Sequence, residues 1–142
     1  MSRQRRRGKS RGRQKKHTAS PGDTVTPPSA AVIGAGPSGL VAAKTLAENG
    51  FRVDVYEASS HVGGTFRHKS YDDGQLVSSC LITAFSDFRM TKCDTDHPSI
   101  PEYLLYLEAY CDRFDLWSKI RFHSRVVLIE KSKIDGGKTT SS

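Results

Sequence analysis

Three glycines at a fixed spacing, and one acid downstream, are the residues of this sequence best suited to chemistry. Gly34, Gly36 and Gly39 form the pattern G-x-G-x-x-G, and Glu57 follows Gly39 by 18 residues. A short apolar run precedes the first glycine and a helical pattern begins inside the motif, which is the context in which this spacing holds a pyrophosphate. The pattern therefore predicts a nucleotide site built from backbone N–H groups.

Each glycine meets a separate physical demand. Gly34 lets the chain turn sharply out of a strand, Gly36 lets a pyrophosphate approach the backbone, and Gly39 lets a helix lie close to the sheet. The first helical turn, with Pro37 and Ser38, then points its free N–H groups at the phosphates, helped by the helix dipole. Pro37 is tolerated there because its missing N–H would have had no helical partner.

Glu57 ends the second apolar run, where a carboxylate accepts hydrogen bonds from ribose hydroxyls. The same charge repels a 2′-phosphate, so the site is expected to reject NADP. The alternative is a solvated acid at a strand end. Substitution of Glu57 is expected to leave the fold intact, because a strand-end carboxylate contributes little to a core. The glycine pair Gly63–Gly64 predicts either a second stretch of backbone against the ligand or an ordinary loop.

The elements that position these residues follow in the order strand, helix, strand. Ala30–Ile33 reads as a buried strand, Ser38–Asn49 as a helix with Gly50 as its C-terminal cap, and Arg52–Tyr56 as a second strand. Short links between them predict parallel pairing through a right-handed crossover. The fold class is therefore α/β, a Rossmann-like βαβ unit, and the pattern indicates that the domain is incomplete.

The rest of the chain alternates loop and regular structure. Residues 61–98 read mostly as loop, and "SIPE" at Ser99–Glu102 predicts a capping box that begins a helix. Its apolar face is expected to hold Leu104, Leu107, Cys111 and Phe114, with Tyr103, Tyr106 and Tyr110 as packing residues. Arg125–Glu130, "RVVLIE", predicts a strand, and "KIDGGK" predicts a turn around 135–137.

Charge and composition set the domain limits. Residues 2–16 hold nine of the 22 basic residues and no acid, so the formal net charge of +7 arises in a tail. We expect a disordered, basic and then Pro/Ser-rich tail over residues 1–28, a partial Rossmann-like domain over 29–134, and a flexible end over 135–142. The tail predicts weak polyanion binding or nuclear import, and a merely solvated extension is the alternative.

Several classes of protein are not expected. No apolar run reaches the roughly 18–20 residues that cross a bilayer, and the N-terminus has no apolar core of a secretory signal. The three cysteines lack C-x-x-C spacing and are interpreted as reduced thiols. The histidines show no ligand spacing, so no metal is expected. These features favour a cytoplasmic, intracellular protein.

The combined motifs resemble a known family. "VIGAGPSGL", then Glu57, "GGTF", "FSDF" at Phe85–Phe88, and the helix and strand over 106–131 resemble the N-terminal FAD-binding segment of flavin-containing monooxygenases, over about residues 30–133. Many members carry an Asn eight residues before the first Phe of FSDF, where this chain has Val77. Either a following serine, Ser78 or Ser79, makes the contact with the flavin after a small shift of register, or another part of the protein makes that contact. The resemblance implies these cofactor-binding residues: Gly34, Gly36, Pro37, Ser38, Gly39, Glu57, Gly64, Thr65, Phe66, Val77 and Ser78; it implies no catalytic residue.

The resemblance also implies a function. In the full-length family NADPH reduces FAD, and the flavin then activates O₂ to oxygenate N, S or carbonyl centres of small molecules. The family's second glycine motif, for NADPH, and its intervening FxGxxxH fingerprint are absent from these residues, so the chain by itself is expected to be incomplete and inactive. An FAD-dependent oxidase or reductase fragment, and a non-catalytic truncated flavoprotein, are the alternatives.

Overall fold

The computed structural model describes residues 26–69, 71, 73–91 and 96–131. Within these ranges the elements in chain order are β1 (Ser29–Ile33), α1 (Pro37–Glu48), β2 (Arg52–Tyr56), α2 (Thr65–His68), α3 (Cys80–Thr83), α4 (Ile100–Arg113), a 3₁₀ turn (Trp117–Lys119) and β3 (Ile120–Arg121). Residues 1–25 and 132–142 lie outside the described residues, so disorder of the tail, the turn around 135–137 and flexibility of the end stay predictions.

The three strands form one parallel sheet in the order β1-β2-β3. Ser29 lies opposite Arg52 and Ile33 opposite Tyr56, while β3 pairs with β2 at Val55. A parallel pair cannot be closed by a tight turn, so α1 carries the chain from one end of the sheet back to the other. This arrangement confirms the Rossmann-like α/β fold.

Helix α1 is shifted by one residue at each end from its prediction. It begins at Pro37 rather than Ser38, because proline has the backbone angle of a first helical residue. At the other end Gly50 has φ +83°, its N–H donates to Ala47 O (3.0 Å), and the N–H of Phe51 donates to Leu46 O (3.1 Å). These two bonds are those of a Schellman motif, so the predicted glycine cap is confirmed.

Helix α4 starts at the predicted capping box. The N–H of Glu102 donates to Ser99 Oγ (3.3 Å), and the N–H of Ser99 donates to Glu102 Oε2 (2.7 Å). The two bonds satisfy donors that the first helical turn would otherwise leave unpaired. The helix therefore has a defined start, which places its tyrosines against the sheet and the loops.

The core lies between the sheet, α1 and one face of α4. Tyr103, Tyr106 and Tyr110 are buried in it, which confirms them as packing residues. Leu107 and Cys111 are buried as predicted, whereas Leu104 and Phe114 are only partly buried. The buried face of α4 is therefore wider than its aliphatic residues alone indicate, because the three tyrosines are also buried.

Tyr106 holds the FSDF turn closed. The N–H of Phe85 donates to Tyr106 Oη (2.7 Å), and the hydroxyl donates in turn to Phe88 O (2.7 Å). Asp87 of the same turn pairs with Lys44 of α1 at 2.6 Å. The FSDF motif, which contributes to the family resemblance, is therefore a structural turn. Tyr106 joins this turn to α4, and the ion pair of Asp87 with Lys44 joins it to α1.

We expect Tyr106→Phe to destabilise the fold by about 1–3 kcal/mol, because it removes a partner from both a part-buried N–H and a part-buried carbonyl. Tyr110→Phe is the matched control. Tyr110 Oη is buried with no hydrogen-bond partner among the described residues, so its loss should change stability by less than about 1 kcal/mol. Urea unfolding of the two variants measures the difference. Equal destabilisation by both would show that the turn does not depend on the hydroxyl.

Two predictions about the chain are wrong. Arg125–Glu130 is not a strand: it has no neighbouring strand among the described residues, and β propensity without a pairing partner does not make a ladder. Instead Ile120–Arg121 supplies the third strand. Cys80 is disulfide-bonded rather than reduced, since sequence spacing does not report which loops meet in space. Cys111 is a free, buried thiol as expected, and Cys93 lies outside the described residues.

Candidate nucleotide-binding site

The glycine loop joins β1 to α1 at the carboxyl end of the sheet. Gly34 has φ +92°, a conformation that L side chains rarely adopt, and its N–H donates to Tyr56 O (2.9 Å). Gly36 is the N-cap of α1, with φ −78° and ψ 178°, and no side chain caps the helix. The first-turn N–H groups of α1 therefore lie open, with the positive end of the helix dipole behind them.

Gly39 is required by packing within the protein. A Cβ built on Gly39 would fall far inside contact with the carbonyl oxygen of Gly34 and 3.0 Å from its carbonyl carbon. Both neighbours are backbone atoms of the turn, which cannot rotate away as a side chain can. The predicted role of this glycine, close approach of helix and strand, matches this geometry.

Gly36 and Gly64 face each other across the site. A Cβ on Gly36 would meet Gly64 Cα at 3.7 Å, an ordinary contact, and nothing nearer. Gly64 itself has φ +55°. The N–H of Gly63 donates to Ala35 O (3.0 Å) and ties the second glycine loop to the first. No protein atom demands glycine at position 36, so the space beside it is available to a ligand.

These loops enclose a cavity of about 250 Å³. Its lining contains no acidic side chain and consists of Ile33, Gly34, Gly36, Pro37, Ser38, Gly39, Gly64, Thr65 and Phe66. Eight of these nine residues are among the predicted cofactor-binding residues. A cavity that holds exposed backbone at a helix N-terminus, without a negative charge, suits an anion.

Glu57 is not among the residues that line this cavity, and it is not a solvated acid either. It is only 7% exposed. The N–H of Ala35 donates to its Oε2 (2.7 Å), and the N–H and hydroxyl of Ser59 both donate to its Oε1 (2.8 Å each). The carboxylate therefore joins the glycine loop to the segment after β2. These contacts argue against the expectation that Glu57 contributes little to the fold.

The charge of Glu57 is stabilised by its hydrogen bonds. Burial disfavours the charged form, but the bonds from Ala35 and Ser59, together with the charge of His68, hold the pKa of the carboxyl below its ordinary value. Oε2 accepts one of the two bonds that a carboxylate oxygen can accept. A ribose hydroxyl can use the remaining lone pair, and this role of Glu57 stays a prediction.

Ser59 is the residue of this region that sequence reasoning missed. Its hydroxyl donates to Glu57 Oε1, and its carbonyl accepts a hydrogen bond from the N–H of His123 (3.0 Å). A serine two residues after a strand-end acid is the available signal, because short hydroxyl side chains bond to nearby groups in turns. One serine is a weak signal without the fold.

Thr65 and Phe66 open α2 at the rim of the cavity. Phe66 packs edge-on against Tyr103, with ring centroids 5.0 Å apart. Arg67 of the same short helix pairs with Glu108 of α4. These contacts fix the position of α2, so the two residues that the family resemblance places beside the flavin are held at one side of the cavity.

Val77 and Ser78 lie apart from the cavity lining. Val77 is 97% exposed, and Ser78 Oγ shares a hydrogen bond with Thr83 Oγ1 (2.6 Å). The structure does not bring them together with the glycine loops. Their predicted contact with the cofactor stays a prediction.

A larger groove of about 410 Å³ lies between the loop after the FSDF turn and the exposed side of α4, lined among others by Met90, Leu105 and Ala109. Its lining also includes Arg89 and Glu102 but no glycine, so it offers no loop of backbone N–H groups of the kind that cradles a pyrophosphate. Among the described residues, no group of three or more His, Cys, Asp or Glu could hold a metal ion. No helix in that part of the chain is long and apolar enough to cross a membrane.

Known proteins are similar in sequence to the part of the chain that contains this cavity. Residues 32–92 match the family model of the NAD(P)-binding Rossmann-like domain. Monooxygenase ptmN of Penicillium ochrochloron is 46% identical over 109 residues, which are 72% of this chain and 18% of the relative. The probable flavin-containing monooxygenase 1 of Arabidopsis thaliana is 42% identical over 107 residues, 74% of this chain and 20% of the relative. Over these residues the chain is similar to proteins named monooxygenases and flavin-containing monooxygenases.

Solved structures agree with this relationship. The oxidised steroid monooxygenase bound to NADP superposes with a TM-score of 0.61 at 32% identity, covering 66% of this chain and 19% of that one. The family resemblance expected from the motifs is therefore confirmed. The chain spans about a fifth of the length of these relatives.

Proposed function

We propose that the described residues form the FAD-binding portion of a flavin-dependent monooxygenase. The observation that carries the proposal is the single cavity that unites the glycine loop, the uncapped N-terminus of α1 and Gly64–Phe66. Its relatives are named monooxygenases and flavin-containing monooxygenases, which supports a flavin as the resident group.

The residues fit the ADP half of such a cofactor. Space beside Gly36 admits a pyrophosphate, and the N–H groups of Ser38 and Gly39 in the first turn of α1 would donate to its oxygens. Glu57 Oε2 would accept a hydrogen bond from a ribose hydroxyl through its remaining lone pair. Thr65 and Phe66 would contact the flavin half of the cofactor. A buried anionic carboxylate disfavours a 2′-phosphate, so the site suits FAD rather than NADP.

When bound, FAD supplies the redox chemistry, and the protein binds and orients it. We propose that the complete reaction uses NADPH and O₂ and oxygenates an N, S or carbonyl centre of a small molecule. The described residues hold one glycine-rich phosphate loop, and NADPH needs a second site. We therefore propose no turnover by these 142 residues alone.

One observation favours a second function. The position where many relatives of this family carry an Asn is Val77, which is 97% exposed and outside the cavity lining. A valine cannot donate a hydrogen bond to the cofactor. An FAD-dependent oxidase or reductase, which does not need that donor, is accordingly the alternative.

We expect the chain to bind FAD and ADP-ribose, to bind 2′-phospho-ADP-ribose at least about tenfold more weakly, and to leave FMN unbound, because FMN lacks the ADP half. A tenfold difference corresponds to about 1.4 kcal/mol. Calorimetric titration with the four compounds measures it. Binding of the 2′-phosphorylated compound as tight as that of ADP-ribose would contradict the role of Glu57, and equal binding of FMN would contradict the ADP site.

A further inference from the structure

The two carboxylate oxygens of Glu57 are bonded unequally. Among the described residues, Oε1 accepts two hydrogen bonds, from the N–H and the hydroxyl of Ser59 (2.8 Å each), whereas Oε2 accepts one, from the N–H of Ala35 (2.7 Å). A carboxylate oxygen can accept about two such bonds. Ser59 therefore saturates Oε1, and the free lone pair of this carboxylate belongs to Oε2.

Oε2 lies at the glycine loop. Its donor, Ala35, stands between Gly34 and Gly36, which both line the cavity of about 250 Å³. An ionised carboxylate accepts hydrogen bonds and donates none, so the group that suits the free lone pair is a donor such as a hydroxyl.

The backbone on both sides of this contact is held by residues 121–124. The N–H of His123 donates to Ser59 O (3.0 Å), and the N–H of Ser124 donates to Glu57 O (2.8 Å). The N–H of Glu57 donates in turn to Arg121 O (2.9 Å). The Ser59 hydroxyl therefore approaches Oε1 from a defined direction.

The Ser59 hydroxyl has a second acceptor within reach. Its oxygen lies 2.8 Å from Glu57 Oε1 and 2.9 Å from His61 O, and one hydroxyl carries one proton. Hydrogen bonds to an ionised acceptor are about twice as strong as those between neutral groups. The proton therefore points to Glu57, where it acts with the N–H of Ser59 to restrict rotation of the carboxylate.

Given the FAD site proposed above, on which this inference rests, we propose that Ser59 is a positioning residue for the adenosine ribose, which binds through Glu57 Oε2. By saturating Oε1, Ser59 fixes the plane of the carboxylate. A ribose hydroxyl then meets an acceptor that is already oriented, and an acceptor held in its bound orientation gains affinity because less freedom is lost on binding.

The test compares ADP with 2′,3′-dideoxy-ADP, which lacks only the two ribose hydroxyls, by calorimetric titration of the full chain. The parent should bind ADP at least about tenfold more tightly, because only ADP can donate to the ionised Glu57. Ser59→Ala should lower this ratio by about threefold or more through weaker ADP binding. Its affinity for 2′,3′-dideoxy-ADP should stay within about twofold of the parent, which also checks that the variant is folded.

Three further variants separate the hydroxyl from the rest of the side chain. Ser59→Thr keeps a hydroxyl and should keep the ratio within about twofold of the parent. Ser59→Cys keeps the size of serine but donates weakly, so it should lower the ratio as Ser59→Ala does. Ser60→Ala is the matched control, because the Ser60 hydroxyl bonds to His61 Nδ1 (2.7 Å) and should leave both affinities unchanged.

A merely structural role of Ser59 would lower both affinities by the same factor, and an unchanged ratio in Ser59→Ala would overturn the proposal. A larger ratio would overturn it as well, because the freed Oε1 would then bind the ribose at least as well as Oε2. Absence of ADP binding by the parent would contradict the FAD site itself, and with it the role of Ser59.

Discussion

Gly39→Ala is expected to lower the free energy of unfolding by at least about 3 kcal/mol, although alanine is the better helix former. In an exposed helix the exchange gains about 1 kcal/mol. Here the new Cβ would overlap the carbonyl oxygen of Gly34, which belongs to the tightly turned backbone of the glycine loop. Relief requires α1 to move away from β1, which opens the core around Leu40 and Ala43. For a domain of about 100 residues this predicts a fall in Tm of roughly 12–24 °C.

Gly36→Ala is the matched control for this prediction. Its backbone angles suit any residue, and the added Cβ meets only Gly64 Cα at 3.7 Å, so stability should change by less than about 1 kcal/mol. The new methyl group would nonetheless occupy the space proposed for the pyrophosphate, and FAD affinity should fall by about tenfold or more. Thermal unfolding and FAD titration of both variants separate the two roles. A stable Gly39→Ala protein, or a Gly36→Ala protein with unchanged affinity, would contradict the assignment.

The roles of these two glycines show what the sequence could predict. Spacing located the βαβ unit, because a strand period, a helix period and a G-x-G-x-x-G turn each leave a local pattern. Capping signals at Gly50 and Ser99 are local as well, and both were confirmed. Spacing also predicted a separate role for each glycine. For Gly39 the predicted role was close packing, and in the structure a side chain at this position would overlap the backbone of Gly34.

The parts that were missed depend on contacts between distant segments. The third strand is the two-residue pair Ile120–Arg121, too short to leave a periodic pattern, whereas the longer strand-like Arg125–Glu130 has no described neighbour to pair with. The disulfide at Cys80 likewise depends on which loops meet. Glu57 was located correctly at the strand end, but its burial follows from the packing of the glycine loop and Ser59 around it.

That burial changes what is expected of Glu57. Glu57→Ala removes the acceptor for the N–H groups of Ala35 and Ser59 and for the Ser59 hydroxyl. Two backbone donors left without a partner at this site cost roughly 1–3 kcal/mol each, so we expect a loss of about 2–6 kcal/mol in the free energy of unfolding. Glu57→Gln restores the size but places an amide N–H₂ against either Ala35 N–H or the Ser59 donors. It should still lose about 1–3 kcal/mol.

Ser59→Ala tests the other half of the same contact. It removes one hydrogen bond to Oε1 and leaves the two backbone donors paired with Glu57, so it should cost only about 0.5–2 kcal/mol. The expected order of stability is therefore parent, Ser59→Ala, Glu57→Gln and Glu57→Ala, measured by urea unfolding at pH 7. Glu57→Ala as stable as the parent would show that the acid is dispensable to the fold.

The pH dependence gives an independent check on the same carboxylate. Because the pKa of folded Glu57 lies below its unfolded value, its charge stabilises the fold above the unfolded pKa of about 4.5, and this contribution is lost as pH falls through the folded pKa. The stability difference between the parent and Glu57→Gln should accordingly be constant from pH 7 down to about pH 5 and shrink below it. A difference that does not change between pH 7 and pH 3 would mean that the ionised form of Glu57 is not what holds the glycine loop.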